Sequence, residues 1–353
     1  MGMVFFSVLT YSLFLRFVQT LGIRKMDADT VIRWGPQSKP ALGGFCFYLV
    51  FLLSIASNSI FFDPNQFFLN KQFIGMLLCV TMAFMIGLAD DAYDTNPLLK
   101  LVGQIGCGTI LIACGLSIRL FHSEVINYIL TIVWVVGIMN SVNMLDNMDA
   151  ISALVSACII LCCLLIIADS PDYIGNIHFI ILLGSLAAIM AFLWFNWHPS
   201  SMYMGDTGSQ FLGALLSTVS VICLWNYKLP VSGPAPDWDI IRNIVMVALA
   251  FILPITDTTI VVFNRMRRGT SPFMGGHDHT THNLARLGYS DRAVAVVFFS
   301  VAFISVVFID YISTSVSNFG ITHLAFFAAY FLVSLCAFFV VTLRGTRKAG
   351  LSK

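Results

Sequence analysis

Charged residues are scarce in this sequence. Only 10% of its 353 residues are charged, 58% are hydrophobic and the mean hydropathy is +0.87. Since a soluble domain carries about 25% charged residues, the composition predicts an integral membrane protein. The net charge is +1 and no stretch resembles a basic nucleic-acid-binding patch, so we expect no nucleic acid among its partners.

Two other patterns are missing as well. The sequence has no Gly-x-Gly-x-x-Gly loop, and its connectors are too short for a separate soluble nucleotide-binding domain. Its nine cysteines show neither Cys-x-x-Cys nor Cys/His spacing, and nearly all lie in apolar runs. We therefore interpret them as helix-packing residues, without disulfide or metal roles.

Long apolar runs are what the sequence does contain. Runs of about 18 or more apolar residues are typical of transmembrane helices. The sequence predicts about eleven of them, at 3–21, 41–60, 72–88, 99–118, 124–142, 151–168, 177–195, 209–227, 242–263, 293–311 and 322–343. The expected fold is an all-α integral membrane protein, with residues 1–353 forming a single polytopic domain.

The basic residues between these runs predict an orientation. Connectors after the first, third, fifth, seventh and ninth runs share a side with the C-terminus, and they hold most of the lysine and arginine. By the positive-inside rule that side is cytoplasmic, and the N-terminus lies on the opposite side of the cell's inner (plasma) membrane.

Polar residues gather in four clusters, each where an apolar run begins or ends. They occupy residues 87–94, 140–149, 204–208 and 275–283. All four fall in connectors that are predicted to be cytoplasmic. A carboxylate inside a bilayer costs about 2.5 to 3.5 kcal/mol, so clustering at one face indicates a shared task. We expect an active site at the cytoplasmic face, built from helix ends and loops.

The first cluster contains Asp90 and Asp91, with Asp94 one turn further on. Adjacent carboxylates can hold a divalent cation, or one can raise the pKa of the other and make it a base. The alternative is a solvated helix end.

The second cluster forms a polar stripe at the end of an apolar helix. Asn140, Asn143, Asp146 and Asn147 fall within an arc of about 120°, and Asp149 lies about 60° further round. Such a stripe can coordinate a hard cation through oxygen or bind the edge of a base. It could also line a helix contact.

The third cluster places Asp206 between Gly205 and Gly208, just ahead of an apolar run. Glycines let a ligand approach the backbone, and the N-terminus of a helix favours an anion. A phosphate with an Asp-bound Mg²⁺ is one occupant that fits, and an N-cap role for Asp206 is the alternative.

The fourth cluster holds His277, Asp278, His279 and His282 within a predicted cytoplasmic histidine/arginine loop at 264–292, which also contains Arg265. Imidazole and guanidinium groups can neutralise charge on phosphoryl oxygens, which favours a cradle for a diphosphate. A zinc site and ordinary cytoplasmic charge are the alternatives.

One acidic residue lies inside an apolar run. Asp257 follows Pro254 by three residues, and proline is tolerated where a transmembrane helix borders a cavity. Asp257 is predicted to line that cavity, with helix packing as the alternative.

Taken together, these strings resemble the polyprenyl-phosphate N-acetylhexosamine-1-phosphate transferases, a membrane superfamily that includes the phospho-MurNAc-pentapeptide translocase. The similar segments are Lys39–Gly44, Gly87–Asp94 with Pro97–Gln104, Asn140–Asp149, Met204–Gly213, and Pro254–Gly269 leading into Asp278–Gly288. They follow the family's order over residues 39–288.

The resemblance implies transfer of a sugar 1-phosphate from a UDP-sugar to undecaprenyl phosphate, with release of UMP. It also implies Mg²⁺, with Mn²⁺ as the alternative, and it leaves open whether the protein is a homodimer. The catalytic group it implies is Asp90, Asp91, Lys100, His279 and His282. The metal ligands it implies are Asn143 and Asp206. The substrate-binding group is Lys39, Asp94, Asp146, Asn147, Asp149, Asp257, Arg265 and His277.

Two departures from the family pattern refine this expectation. Asn147 and Ala150 stand where subfamilies often have glycine, so the backbone near the nucleotide is expected to follow a different path. The histidines are split as His279-Thr-Thr-His282, which resembles the branch that acts on simple UDP-N-acetylhexosamines such as UDP-GlcNAc at the start of cell-surface glycan synthesis. Phospho-MurNAc-pentapeptide transfer is the alternative within the family.

An ion-coupled membrane transporter is the alternative of another class. Transporters place their coupling acids near the bilayer midplane, and many are built from inverted repeats. Here the acids gather at one face and the sequence shows no repeat, so only Asp257 favours a transporter.

Overall fold

The computed structural model describes residues 2–21, 40–61, 70–169, 173, 176–228, 236–271, 276–316 and 319–351. Lys39, predicted to bind substrate, lies outside the described residues. The helices are α1 Gly2–Leu21, α2 Gly43–Phe61, α3 Lys71–Tyr93, α4 Pro97–Ala113, α5 Glu124–Leu145, α6 Ile151–Ala168, α7 Ile177–Asn196, α8 Gly205–Ser220, α9 Pro236–Ala250, α10 Ile252–Arg267, α11 Thr280–Leu287, α12 Asp291–Ser315 and α13 Ile321–Leu351. The predicted all-α membrane fold is confirmed.

Ten of the eleven predicted apolar runs each coincide with one helix, and the run at 242–263 corresponds to two. Within the described ranges, seven helices are long and apolar enough to cross a membrane, or eight if a bent pair counts as one. The predicted runs at 3–21, 41–60 and 99–118 correspond to shorter apolar helices. Length and composition thus support seven or eight of the eleven predicted crossings.

The run at 242–263 was predicted as one span, but the structure divides it into α9 and α10, which meet at an angle of 75°. The break falls at Ala250 and Phe251, four and three residues before Pro254. Proline has no N–H to donate to the carbonyl of residue 250, and its ring crowds that carbonyl. The helix therefore bends there, and the bend turns α10 and Asp257 toward the polar clusters.

Helix α8 lies at the centre of the bundle. The stretch Gly205–Trp225, which adds a π-helical turn to α8, is 94% buried, and α8 contacts α2, α3, α5 and α6. Glycine allows the closest of these contacts. A Cβ atom on Gly87 of α3 would lie 2.3 Å from the backbone oxygen of Asp206, so only glycine fits at this crossing.

A short backbone pairing fixes the segment that precedes α8. The Gly43 and Gly44 amides donate to the carbonyls of Tyr203 and Met204, both at 3.1 Å, and the Tyr203 amide donates to Pro40 at 3.0 Å. The N-termini of α2 and α8 are thereby held side by side.

Candidate active site at the helix ends

Asp91 closes α3 and binds the first turn of α8. Its Oδ1 accepts from the Asp206 amide at 2.9 Å. Its Oδ2 accepts from the Thr207 amide at 2.8 Å and from Thr207 Oγ1 at 2.6 Å. A carboxylate is favoured at the N-terminus of a helix because free amides and the helix dipole both point at it. Asp91 therefore positions Asp206.

Asp90 and Asp206 share one cation. Lys100 Nζ lies 2.7 Å from Asp90 Oδ2 and 3.5 Å from Asp206 Oδ1. Asp90 also accepts from the amide and hydroxyl of Thr95. Lys100 thus links the end of α3 to the start of α8.

Asn143 brings the end of α5 to the same place. Its Nδ2 donates to Asp206 Oδ1 and, at 2.8 Å, to Ser209 Oγ. Three of the four predicted clusters, from α3, α5 and α8, therefore meet around Asp206. The Asp206 side chain keeps 28% of its surface exposed, so it remains open to a ligand.

Asp206 and Asn143 fit the usual coordination of Mg²⁺. This ion is commonly bound through one or two side-chain oxygens, with water and substrate phosphate completing the shell. The touching carboxylate and amide can supply two hard oxygens to one ion, after rotation of the amide. Across the described ranges no three Asp, Glu, His or Cys side chains converge on one metal position, so the described protein groups form no complete cage.

The end of α5 also reaches the fourth cluster. Thr281 Oγ1 of α11 donates to Asn147 Oδ1 at 2.6 Å. Further back on α5, Ser141 accepts a hydrogen bond of 2.9 Å from Thr258 of α10. The histidine cluster therefore adjoins the helix end that carries Asn143, and all four clusters form one connected surface.

Asp257 contacts the histidine cluster at the start of α11. Its Oδ2 lies 2.9 Å from His279 Nδ1, and its Oδ1 accepts from the Thr280 amide at 2.8 Å. A carboxylate can only accept, so His279 carries hydrogen on Nδ1 and Nε2 is its second polar atom. Asp257 is 2% exposed and sets the ring orientation of His279.

Arg265 holds the start of the histidine cluster through a two-pronged ion pair with Asp278, at 2.7 and 3.1 Å. Burial opposes ionisation of Asp278, but the Arg265 guanidinium outweighs it and lowers the pKa of this carboxyl. Asn283 donates to the carbonyls of Asp278 and His279, and Arg286 Nη2 donates to the carbonyl of His277 at 2.8 Å. The predicted loop at 264–292 thus contains the end of α10 and all of α11.

His282 is neutral at physiological pH. Burial, followed by the charges of His279, His277 and Arg286, lowers the pKa of His282 to about 3. His282 therefore adds no positive charge to this segment. A cleft of about 290 Å³ is lined here by Arg265, Arg268, Thr270, Gly276, His277, Asp278, Arg286 and Thr346.

Asp149 is held by residues that the sequence did not indicate. Its Oδ1 accepts from Ser200 Oγ at 2.8 Å and its Oδ2 from the Ser200 amide at 3.1 Å, while His198 Nδ1 lies 3.2 Å from Oδ2. His198 Nδ1 also lies 3.1 Å from Asp291 Oδ2 at the start of α12. Ser200 and His198 precede the Asp206 motif by several residues, and no spacing rule pairs them with Asp149.

Ala150 adopts a left-handed conformation with φ of 67°. This conformation favours glycine, and alanine adopts it only rarely. Asn196 explains how: its Oδ1 accepts from the Ala150 amide at 2.8 Å and its Nδ2 donates to the Met202 carbonyl. The strain costs about 1 kcal/mol, which these hydrogen bonds offset.

Asp94 and Asp146 end helices. Asp94 is exposed and forms the left-handed C-cap of α3, with φ of 50°. Asp146 follows α5, half-buried, and its amide donates to the Asn143 carbonyl at 3.2 Å.

Known proteins resemble this chain. A family model described as "Glycosyl transferase family 4" matches residues 73–224. A Bacillus subtilis protein named "Probable undecaprenyl-phosphate N-acetylglucosaminyl 1-phosphate transferase" is 26% identical over 275 residues, covering 75% of this chain and 71% of the relative. A decaprenyl-phosphate N-acetylglucosaminephosphotransferase of Mycolicibacterium smegmatis is 24% identical, covering 76% of this chain and 71% of the relative.

A third relative comes from another branch. A phospho-N-acetylmuramoyl-pentapeptide-transferase of Streptococcus equi subsp. zooepidemicus is 29% identical over 265 residues, covering 66% of this chain and 75% of the relative. The family match and these phosphotransferases agree with the connected polar surface on α3, α5, α8 and α11. The similarity to glycosyl transferase family 4 over residues 73–224, together with these named phosphotransferases, supports a sugar-phosphate transferase of the membrane.

Proposed function

We propose that this protein transfers an N-acetylhexosamine 1-phosphate, from UDP-GlcNAc or a related UDP-sugar, to undecaprenyl phosphate. The products are undecaprenyl-diphosphate sugar and UMP, and the reaction initiates a cell-surface glycan. The observation that carries the proposal is the meeting of Lys100, Asn143 and Asp206 beside Asp90 and Asp91. Relatives named for N-acetylglucosamine 1-phosphate transfer to a polyprenyl phosphate support the choice of donor and acceptor.

Asp206 and Asn143 would hold Mg²⁺ in this proposal, with Mn²⁺ as a substitute. When bound, the ion supplies positive charge that offsets the negative charge of the diphosphate. Lys100 supplies a second positive charge. Since it already sits between Asp90 and Asp206, it needs no long movement to contact a phosphoryl oxygen.

The acceptor needs little help from a base. The second pKa of a phosphomonoester is about 6, so the lipid phosphate is largely dianionic at neutral pH. Asp91 binds three donors of α8, and Asp90 binds Lys100 and Thr95. We infer that both acids orient the attacking phosphate mainly through Asp206 and Lys100, and that charge neutralisation and positioning provide most of the catalysis.

The histidine cluster would bind the sugar-diphosphate end of the donor. His279, oriented by Asp257, can direct Nε2 at a phosphoryl oxygen, and Arg268 and Arg286 line the adjoining cleft. Asp146, Asn147 and Asp149 would form the nucleotide side, with Asp149 setting the turn through Ser200. By the positive-inside rule we expect the site and the C-terminus at the cytoplasmic face and the N-terminus at the other face of the inner membrane.

Exchange of labelled UMP into UDP-sugar tests the proposal, because one phosphoanhydride replaces another and the reaction should run in both directions. Purified protein is incubated with lipid product, Mg²⁺ and labelled UMP. We expect label in the UDP-sugar, and loss of exchange when Mg²⁺ is chelated. If correctly folded protein showed no exchange, the proposal would be contradicted.

Phospho-MurNAc-pentapeptide transfer is the second candidate, favoured by the 29% identity to the streptococcal transferase. Offering UDP-MurNAc-pentapeptide beside UDP-GlcNAc separates the two. We expect turnover of UDP-GlcNAc; preferential turnover of the pentapeptide donor would assign the chain to the other branch.

A further inference from the structure

Three amide side chains lie one helical turn deeper than three side chains of the active site. Gln104 follows Lys100 by four residues on α4, and Gln210 follows Asp206 by four on α8. Asn140 precedes Asn143 by three residues on α5. Residues three or four apart share a helix face, so each amide lies directly beneath its partner in the site. We call Gln104, Asn140 and Gln210 the amide layer.

The amide layer joins the three helices to one another. Gln104 Nε2 donates to Gln210 Oε1 at 3.0 Å and to Asn140 Oδ1 at 3.3 Å. Asn140 Nδ2 donates back to Gln104 Oε1 at 2.8 Å. Among the described hydrogen bonds, these are the ones that join side chains of α4, α5 and α8 one turn below the site.

Stability alone does not account for this layer. Gln104 is 1% exposed and Gln210 is fully buried, and a buried amide is costly unless its groups are paired. Gln210 Nε2 has no hydrogen-bond partner among the described residues. Apolar side chains of similar shape would avoid that cost, since replacing both partners of a buried hydrogen bond is often neutral or stabilising. The layer instead favours one relative arrangement of the helices.

We propose that Gln104, Asn140 and Gln210 are positioning residues for the transfer reaction. Their hydrogen bonds fix the rotation and depth of α4, α5 and α8, so that Lys100, Asn143 and Asp206 converge one turn above. Lys100 reaches Asp206 at 3.5 Å only while α4 and α8 keep this register. The inference rests on the proposed function for its kinetic readout, but not for its metal-binding readout.

Gln104→Leu tests the layer most directly, because Gln104 contacts both other members. Wild type and variant are compared in lipid nanodiscs for UMP exchange and for Mn²⁺ binding by electron paramagnetic resonance. Because small misplacements in an active site are costly, we expect the exchange rate at saturating substrate to fall about tenfold or more and KM for the UDP-sugar to change less than about threefold. Mn²⁺ affinity should fall about threefold or more, since its two ligands lie on different helices.

Thr218→Val is the matched control. Thr218 is also fully buried on α8, but its hydroxyl donates to the Ala214 carbonyl of its own helix at 2.7 Å, and its only contact with another helix is a weak one of 3.8 Å to Cys79 Sγ among the described hydrogen bonds. This variant should keep wild-type exchange and Mn²⁺ affinity. Equal losses in both variants would overturn the proposal, because they would show a general sensitivity of α8 to lost buried polar groups.

A triple variant, Gln104→Leu/Asn140→Leu/Gln210→Leu, separates positioning from stability. With no unpaired amide left, it should regain the melting temperature that Gln104→Leu loses, yet remain slow and bind Mn²⁺ weakly. Recovery of exchange together with stability would overturn the proposal. If the triple variant does not fold, Gln210→Leu replaces it, because this variant leaves the Gln104–Asn140 hydrogen bonds intact. We expect it to lose exchange rate and Mn²⁺ affinity, each by less than Gln104→Leu does.

The outcomes also separate this inference from the proposed function. Wild-type protein that binds Mn²⁺ but exchanges no UMP would contradict the proposed function, while Mn²⁺ affinity would still test the layer. Wild-type exchange that Gln104→Leu leaves unchanged would contradict the layer alone.

Discussion

Asp206 is held by side chains from distant parts of the chain, whereas the histidine cluster is held largely by its own neighbours. Asp91, Lys100 and Asn143 lie 115, 106 and 63 residues from Asp206. Asp278 lies 13 residues from Arg265, and His279 lies 22 from Asp257. The geometry around Asp206 therefore depends on the packing of α3, α4, α5 and α8, while the histidine cluster can change through local substitutions.

This difference suggests a division of labour. Phosphoryl transfer needs fixed charge, which a buried helix bundle supplies well. Recognition of the donor sugar can reside in the locally built cluster, where α10 and α11 meet. Substitutions around Asp206 should therefore affect the rate, and substitutions in the histidine cluster should affect which donor is used.

The largest effect is expected for Asp206→Ala. Loss of the proposed metal ligand and of the Lys100 partner should lower UMP exchange by about a thousandfold or more, as is typical when a central electrostatic group is removed. The protein should still fold, because the side chain is partly exposed. Asp169→Ala, at the exposed end of α6, is the control and should behave as wild type. Near-normal exchange by Asp206→Ala would remove its proposed metal role.

The second-largest effect is expected for Asp91→Asn. Asparagine keeps one acceptor but loses the charge at the N-terminus of α8, so Asp206 should shift. We expect exchange to fall about a hundredfold, with a lower Mn²⁺ affinity. If Asp91→Asn kept wild-type metal affinity and lost only rate, Asp91 would act on the substrate directly.

Asp257→Asn and His279→Asn should act as a unit. Since Asp257 orients His279, each variant should lose about tenfold in exchange, and the double variant should lose little more. Independent, multiplicative losses would show that Asp257 does not act through His279. Comparing UDP-GlcNAc with other UDP-sugars would show whether the losses differ between donors, as a local specificity site requires.

The smallest effect concerns pH. His282 has a folded pKa of about 3, against 6.5 in the unfolded chain. Below pH 6.5, His282 binds a proton in the unfolded state but stays neutral in the folded state. The free energy of unfolding should therefore fall as the pH decreases from 6.5 toward 3. Melting temperatures between pH 7 and pH 5 should decline less for His282→Asn than for wild type. His122→Asn, at an exposed histidine, should keep the wild-type slope.

The sequence predicted where the apolar helices lie better than it predicted where a helix is interrupted. Apolar runs locate every helix except the polar α11, which falls in the predicted loop at 264–292, because a helix in a membrane leaves a compositional signal. Pro254 indicates a kink in this run, but the division into two helices at 75° depends also on what packs there and appears only in the structure. The predicted polar clusters do meet, as the contacts of Asp91, Asn143 and Asn147 show.

Partners within the site were harder to predict. Asp149 depends on Ser200 and His198, which lie about 50 residues away on another connector. Ala150 keeps its left-handed conformation because Asn196 supports it, and no local rule reveals that support. The amide layer did leave a signal: Gln104 and Gln210 each follow a site residue by four positions, the spacing of one helical turn.

Mass spectrometry of the lipid product tests the central claim most directly. Purified protein in nanodiscs is given undecaprenyl phosphate, Mg²⁺ and a panel of UDP-sugars, with Asp206→Ala in parallel. The proposed function predicts undecaprenyl-diphosphate N-acetylhexosamine and UMP from wild type, and neither from the variant. Folded wild-type protein that binds Mn²⁺ but forms no lipid-diphosphate sugar from any UDP-sugar, or equal product from Asp206→Ala, would contradict it.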